Sequence, residues 1–345
     1  MAWMKDEILS EPIVLKNTIS NNLETVKRIA ELVKQRNITS IATVSRGSSS
    51  NAVTCFKYFS EILSGYSVLE IHPSVITMYG AKPDFSKHLM IAVSQSGQST
   101  DTLEVMKCAN DSGAVTVAVT NDENSPLAKC AQFHLHLSCE QEHSVAATKT
   151  MAAEVLVLGL LVLGLADKFD QVATLEKIPD KLAELASRYD EIKDLARKIS
   201  HQRNVIILTR GPMQGIGREV ALKYKECCYV MSHFYSVSDF MHGPLAIVEE
   251  GSSVLMLAPS DECLHDYIEM ATRLNLLGAT VTAITDTNEV SCAASYSFVM
   301  PERADMITDA VLYAFVGHIL CYEIAFDKGL NPDVPRNLKK VTVTK

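Results

Sequence analysis

Apolar positions along this chain follow two different periods. Over residues 1–36 they recur at helical intervals, with Ile19, Leu23, Val26, Ile29 and Val33 on one stripe. Short continuous apolar runs then take over at 40–44, 68–71, 89–93, 115–119 and 133–137, alternating with segments of helical spacing. Unbroken runs of that length predict strands buried on both faces. Their alternation with helices predicts an open parallel sheet covered on both sides, a three-layer α/β architecture. A longer apolar stretch, 155–166, is too short to span a bilayer and predicts a buried helix.

The pattern then repeats. Thr43-Val44-Ser45-Arg46-Gly47 resembles Ile207-Leu208-Thr209-Arg210-Gly211 at an offset of 164. Residues 113–120, Gly-Ala-Val-Thr-Val-Ala-Val-Thr, resemble 278–285, Gly-Ala-Thr-Val-Thr-Ala-Ile-Thr, at an offset of 165. Two separated matches at nearly one offset predict a tandem duplication of one α/β unit. The expected division is a helical segment over 1–36, a first α/β domain over 37–166, a helical connector over 167–200, a second α/β domain over 201–330 and a tail over 331–345. The connector is charged, with Leu175, Ile178, Leu182 and Leu185 on its apolar stripe.

Residues 94–104, Ser-Gln-Ser-Gly-Gln-Ser-Thr-Asp-Thr-Leu-Glu, stand between the run at 89–93 and a helical segment. The first N–H groups of a helix lack partners and carry the positive end of its dipole, so such a turn suits a phosphate. Ser94, Ser96 and Ser99 add neutral donors, and Gly97 lets the backbone come close to a ligand. Serines cap helices without any ligand; three of them with a Gln and a Gly after a buried strand are more than a cap requires. The turn is not a Walker A loop, since the Gly-Lys-Ser/Thr ending is missing. A second hydroxyl-rich turn, 45–51, follows the run at 40–44. In the second copy, position 94 falls near Pro259, within Ala258-Pro259-Ser260-Asp261-Glu262, where two carboxylates would repel a phosphate. The phosphate site is therefore expected in the first copy alone.

Elsewhere, Lys223 and Glu226 lie three apart on a predicted helix, a spacing usually seen in surface pairs. His242 precedes a Gly-Pro break and so belongs to a loop, where it can titrate near neutral pH. The basic stretch 335–340 would ordinarily be a frayed tail. Taken together these groups match what enolisation of a sugar phosphate needs: an anion anchor, a carboxylate base, a ring-opening acid/base and an amine nucleophile.

Composition narrows the class. Of 345 residues, 47% are hydrophobic and 21% charged, which describes a folded globular chain. A net charge of −9 argues against nucleic acid as the main partner. The N-terminal residues carry no secretory apolar core, and nine cysteines, an odd number, point to a reducing cytoplasmic compartment. Cys227-Cys228 has no second pair at zinc-ligand spacing, so no metal site is expected.

On Ser94-Gln95-Ser96-Gly97, Val145-Ala146-Ala147-Thr148-Lys149, the run 221–226, His242-Gly243-Pro244-Leu245-Ala246 and Pro335-Arg336-Asn337-Leu338, the chain resembles the SIS (sugar isomerase) domain proteins. It is most similar to the isomerase half of glucosamine-6-phosphate synthase and to stand-alone glucosamine-6-phosphate deaminases and phosphosugar isomerases. The resemblance covers nearly the whole chain and implies two tandem SIS domains, each a flavodoxin-like αβα sandwich. By position it implies that Ser94, Gln95, Ser96 and Ser99 hold the phosphate and that Ser49 and Val145 contact the sugar. Glu226 matches the carboxylate that moves a proton between C1 and C2, with Lys223 beside it. His242 matches a ring-opening histidine lent by the neighbouring subunit of a homodimer, and Lys340 a lysine that forms a Schiff base with the ketose.

Departures from that pattern are also expected to matter. Residue 2 is Ala and no glutaminase half with an N-terminal cysteine precedes the sheet, so ammonia from glutamine is not expected to arise within these residues. Arg46 replaces a cysteine, Ser99 a threonine, Ala147 a serine and Asp239 a glutamate. The expected reaction is glucosamine 6-phosphate to fructose 6-phosphate plus ammonia, without metal or organic cofactor, nucleic acid or membrane. Alternatives are a fructosamine-6-phosphate deglycase, an isomerase subunit served by a separate glutaminase, and a sugar-phosphate sensor that does not turn over.

Overall fold

A computed structural model describes residues 3–340. The chain divides into two compact units. The first comprises residues 10–142 and 149–179 with Lys339 and Lys340; the second comprises residues 180–338 with the helix Trp3–Leu9 and residues 143–148.

In the first unit the five apolar runs become strands β1 (Ser40–Val44), β2 (Val68–Glu70), β3 (His88–Val93), β4 (Val115–Thr120) and β5 (Phe133–His136). Each lies within one or two residues of its predicted ends, the usual uncertainty of element boundaries. All pairings are parallel, in the order β2-β1-β3-β4-β5. Ala42 pairs with Met90 and Ile91 with Val117, so the least exposed residues lie along the central strands. The helix Lys149–Leu165 is buried along its whole length, as its uninterrupted apolar sequence predicts.

In the second unit β6 (Asn204–Thr209), β7 (Met231–Ser236), β8 (Ser253–Ala258), β9 (Thr280–Thr285) and β10 (Tyr296–Val299) form a parallel sheet ordered β10-β9-β8-β6-β7. Counted from its own first strand, this is the order of the first sheet read from the other edge. The duplication read from the sequence is thus a duplication of topology. The predicted connector forms helices including Ile178–Ser187 and Tyr189–Ile199, with Leu175, Ile178, Leu182 and Leu185 all buried.

Among the described residues one helix, Met306–Asp327, is long and apolar enough to cross a membrane by length and composition. In this fold it is core: 94% of its most apolar window is buried.

In both sheets the strand order reverses beside the first strand, between β1 and β3 and again between β6 and β8. The crevice at such a reversal, beyond the carboxyl ends of the strands, is where open α/β sheets bind ligands. The turns after β1 and β3, which carry the serines, border it in the first unit.

Candidate functional site

The turn after β3 is shaped by two constraints. Gly97 has a φ of +60°, and a Cβ placed there would come within 2.3 Å of the Ser125 hydroxyl. Close packing on Ser125 therefore explains this glycine without any ligand. Gly97 N–H donates to Ser94 O at 3.1 Å, and Gln98 N–H to Ser96 Oγ at 3.3 Å. Ser99 occupies the N-cap of the helix Thr100–Asp111 in extended conformation but caps nothing with its side chain.

The Ser99 hydroxyl instead donates to Asp101 Oδ1 at 2.5 Å. Asp101 is nearly inaccessible, and the other oxygen of its carboxylate, Oδ2, accepts from Arg46 Nε and Nη2 at 3.2 and 2.9 Å. Burial opposes the ionised carboxylate, yet the Ser99 hydroxyl, the Arg46 guanidinium and the Thr102 N–H outweigh it and leave the pKa below the ordinary aspartate value. Arg46 thus ties the turn after β1 to the helix after β3. The second unit repeats the tie, with Arg210 after β6 bonded to Asp266 in the helix Leu264–Leu276.

Ser49, in the first turn of the helix Gly47–Leu63, is buried and donates to Glu154 Oε1 at 2.8 Å. Its proton engaged, Ser49 can meet a sugar hydroxyl as an acceptor.

Gln95 reaches away from the turn. Its amide Nε2 donates to Glu142 Oε2 at 3.2 Å, and the same oxygen accepts from Thr150 Oγ1 and from Lys340 Nζ, each at 2.8 Å. Thr150 N–H donates to Glu142 Oε1 at 3.3 Å. Two of the residues predicted for the site, Gln95 and Lys340, therefore meet on one buried carboxylate that the sequence did not single out. Lys340 itself is held rather than frayed.

In the second unit, at the turn corresponding to the serine turn, Asp286 accepts both the N–H and the hydroxyl of Ser260, at 2.7 and 2.6 Å. Arg303 bonds Asp309 and faces Glu262 at 3.5 Å. Burial raises Asp261 above the ordinary aspartate value and pushes Asp309 up to about 7.

Lys223 and Glu226 lie on the helix Gln214–Cys228. This spacing is usual in surface pairs, yet Lys223 is completely buried. Its ammonium bonds Glu226 Oε2 at 2.7 Å and Glu219 Oε1 at 2.9 Å. Burial alone would lower the Lys223 pKa, but the carboxylates of Glu219 and Glu226 together hold it well above the ordinary lysine value. His318 Nε2 lies 3.5 Å from Glu219 Oε1. Glu219 was legible at i−4 from Lys223; its burial against Met306–Asp327 was not.

Glu226 keeps one edge accessible. It lines a cavity of about 410 Å³ together with Lys225, Tyr229, His233, Arg336 and Leu338, among others. Tyr229 ends the helix at a φ of +53°; its hydroxyl accepts from Arg336 N–H at 2.8 Å, and the Arg336 guanidinium sits 4.1 Å over its ring. His242 is not part of this cavity: it follows the helix Val237–Met241 on an exposed turn, flanked by the exposed Met241 and Ile247.

Val145 donates its N–H to Asp333 O at 3.0 Å. The Asp333 carboxylate accepts from Trp3 and Met4 N–H, while Glu7 accepts from the N–H groups of His143 and Ser144 and from the Ser144 hydroxyl. Among the described residues no cluster of three or more His, Cys, Asp or Glu side chains is placed to hold a metal ion.

Comparison with known proteins fits this geometry. The SIS domain model matches residues 45–164 and 198–325. A glutamine–fructose-6-phosphate aminotransferase (isomerizing) from Thermococcus kodakarensis is 31% identical over 99% of this chain. The chain spans 58% of that relative's length. Among solved structures, a protein from Silicibacter pomeroyi with the provisional name of phosphosugar isomerase superposes with a TM-score of 0.86. It is 32% identical, over 96% of this chain and all of that one. The C-terminal domain of glucosamine-fructose-6-phosphate aminotransferase from Francisella tularensis has the same TM-score at 24% identity, covering 96% and 98%, and speaks to the fold alone. Two parallel sheets of one topology, each coinciding with one match, make this chain a member of the SIS domain family that carries the domain twice.

Proposed function

We propose that this chain is a phosphosugar isomerase that converts a 6-phosphorylated amino sugar to the ketose phosphate with loss of ammonia, glucosamine 6-phosphate being the preferred substrate. The observation that carries this reading is Glu226, a carboxylate bonded to a buried ammonium on one side and lining a cavity on the other. Such a carboxylate can take a proton from carbon without its counter-charge having to move.

In this reading Ser94, Ser96 and the backbone N–H groups of the turn after β3 receive the phosphate. Ser99 joins them only when its bond to Asp101 is exchanged. Ser49 and Val145 contact the sugar. His242 opens the ring, which exposes the C1 aldehyde. Glu226 removes the proton from C2 and returns it to C1, converting the C2 amine to an imine. Water adds at C2 and ammonia leaves, so one amino-sugar phosphate and one water give one ketose phosphate and one ammonia. Exchange of the imine onto Lys340 would give the same products through a covalent intermediate.

The test is a panel of amino-sugar 6-phosphates and fructosamine 6-phosphates assayed for ammonia and for free amino acid. Ammonia from glucosamine 6-phosphate is the expected result. Free amino acid from a fructosamine substrate would replace the reading with a deglycase, and binding without turnover would replace it with a sensor. Activity that appears only with added glutamine and a second protein would make the chain a synthase subunit.

Two expectations follow from the parts. Ser96→Ala removes a donor to a charged group, worth about 1.5–3 kcal/mol, so sugar-phosphate affinity should fall roughly ten- to hundredfold. Unchanged affinity in a calorimetric titration would remove the turn from the site. The second concerns His242, whose exposed turn suits a group lent to a second copy. Mixing His242→Ala with Glu226→Gln protomers should then recover part of the activity. Heterodimers that form yet remain as inactive as the parents would show that each protomer uses its own histidine.

A further inference from the structure

The structure places Gln95 of the phosphate turn and the tail residue Lys340 on a single oxygen, Glu142 Oε2, with Thr150 as a third donor. We propose that Glu142 is a positioning residue that fixes the Lys340 amine beside the phosphate turn and, through Gln95, tightens that hold when the turn is occupied. The inference rests on the functional reading above and adds to it a residue and an order of events.

Glu142 is nearly inaccessible, and Lys340 is the cation bonded to its Oε2. A carboxylate oxygen that already accepts three hydrogen bonds is stabilised as an anion and makes a poor proton acceptor. It is well suited to hold an ammonium at a fixed place, with charge-assisted bonds of 2.8 Å. Gln95 connects this anchor to the ligand. Its amide donates to Glu142 while its backbone O accepts from Asn121 N–H at 3.0 Å, so the main chain stays in place if the side chain turns. A phosphate in the serine turn competes with Glu142 for the Gln95 amide, and a donor lost from Oε2 leaves its charge to the remaining partners, so Lys340 is held more firmly. The Lys340 amine is thereby fixed in place once a phosphorylated compound is bound. No covalent change at Glu142 is involved; it exchanges hydrogen bonds only.

Glu142→Gln offers Lys340 a neutral oxygen and places an amide N–H₂ among the donors, whereas Glu142→Asp keeps the charge on a shorter arm. Three measurements on the full chain decide the matter. They are calorimetric affinity for fructose 6-phosphate, borohydride trapping of that sugar on Lys340, and labelling of Lys340 by an amine-acylating reagent read by peptide mass mapping. The expected result for Glu142→Gln is affinity within threefold of wild type, with trapping reduced at least tenfold. Lys340 labelling without sugar should rise severalfold, and Glu142→Asp should recover part of the loss. In wild type, fructose 6-phosphate should lower Lys340 labelling and unphosphorylated fructose should not.

Unchanged trapping and labelling in Glu142→Gln would overturn the proposal. So would a loss of affinity as large as the loss of trapping, since Glu142 would then merely support the fold. If wild type traps no sugar, the assignment of Lys340 as a nucleophile fails separately. Labelling then decides alone: a rise in Glu142→Gln together with a fall on fructose 6-phosphate binding in wild type supports the coupling, and the absence of either overturns it.

Discussion

Glu226→Gln should still bind sugar phosphate and should exchange the C2 proton with solvent deuterium about 10²–10⁴ times more slowly than wild type. The substitution keeps the size of the side chain and one oxygen for Lys223, so the pairing seen at 2.7 Å can persist as a weaker contact. What it removes is the basic carboxylate of a residue that lines the cavity. Because the phosphate donors lie on other residues, affinity should change by no more than a few-fold, and the loss should fall on turnover. NMR of the C2 position in heavy water separates the two effects directly. Undiminished exchange in Glu226→Gln would exclude it as the base. Absence of exchange in wild type with every amino-sugar phosphate would move the chain to the non-catalytic members of its family.

Lys223→Met should have the largest effect on stability. The wild-type ammonium is fully buried between Glu219 and Glu226, and removal of one partner from a buried ion cluster typically costs about 3–5 kcal/mol. Most of that cost falls on Glu219, a completely buried carboxylate that loses its ammonium partner. The double variant Lys223→Met with Glu219→Gln should therefore be markedly more stable than Lys223→Met alone, a coupling that a double-mutant cycle in urea would measure. Additive losses would place the instability in packing rather than in charge. The same lysine orients the Glu226 carboxylate, so any refolded Lys223→Met enzyme should also have lost turnover.

Much of this was legible in the chain before its fold was known. Buried parallel strands read as apolar runs because both of their faces are covered, and five of them fell within two residues of the observed ends. The duplication was legible because two matched segments hold one spacing, and the paired sheets bear it out. The hydroxyl turns stood out by composition. What spacing could not supply was the partner of each group. Lys340 and Glu142 are 198 positions apart, and Arg46 and Asp101 are 55 apart. The burial of Lys223 was hidden for a related reason. Helical periodicity says which residues share a face but not what covers it, and here the covering helix, 306–327, brings His318 beside Glu219. Gly97 illustrates the converse: its need was evident, while the neighbour that imposes it, Ser125, came from a later turn.

The arginine–aspartate tie that closes each sheet's strand-order reversal bears on the history of the chain. Arg46 bonds Asp101 beside a turn with serines, and Arg210 bonds Asp266 beside a turn with carboxylates. Both halves carry the same brace beside opposite chemistries, so the strand-order reversal is held shut by a device that does not decide what is bound there. The serine turn of one half and the Glu219, Lys223 and Glu226 set of the other record how two once-equal copies diverged.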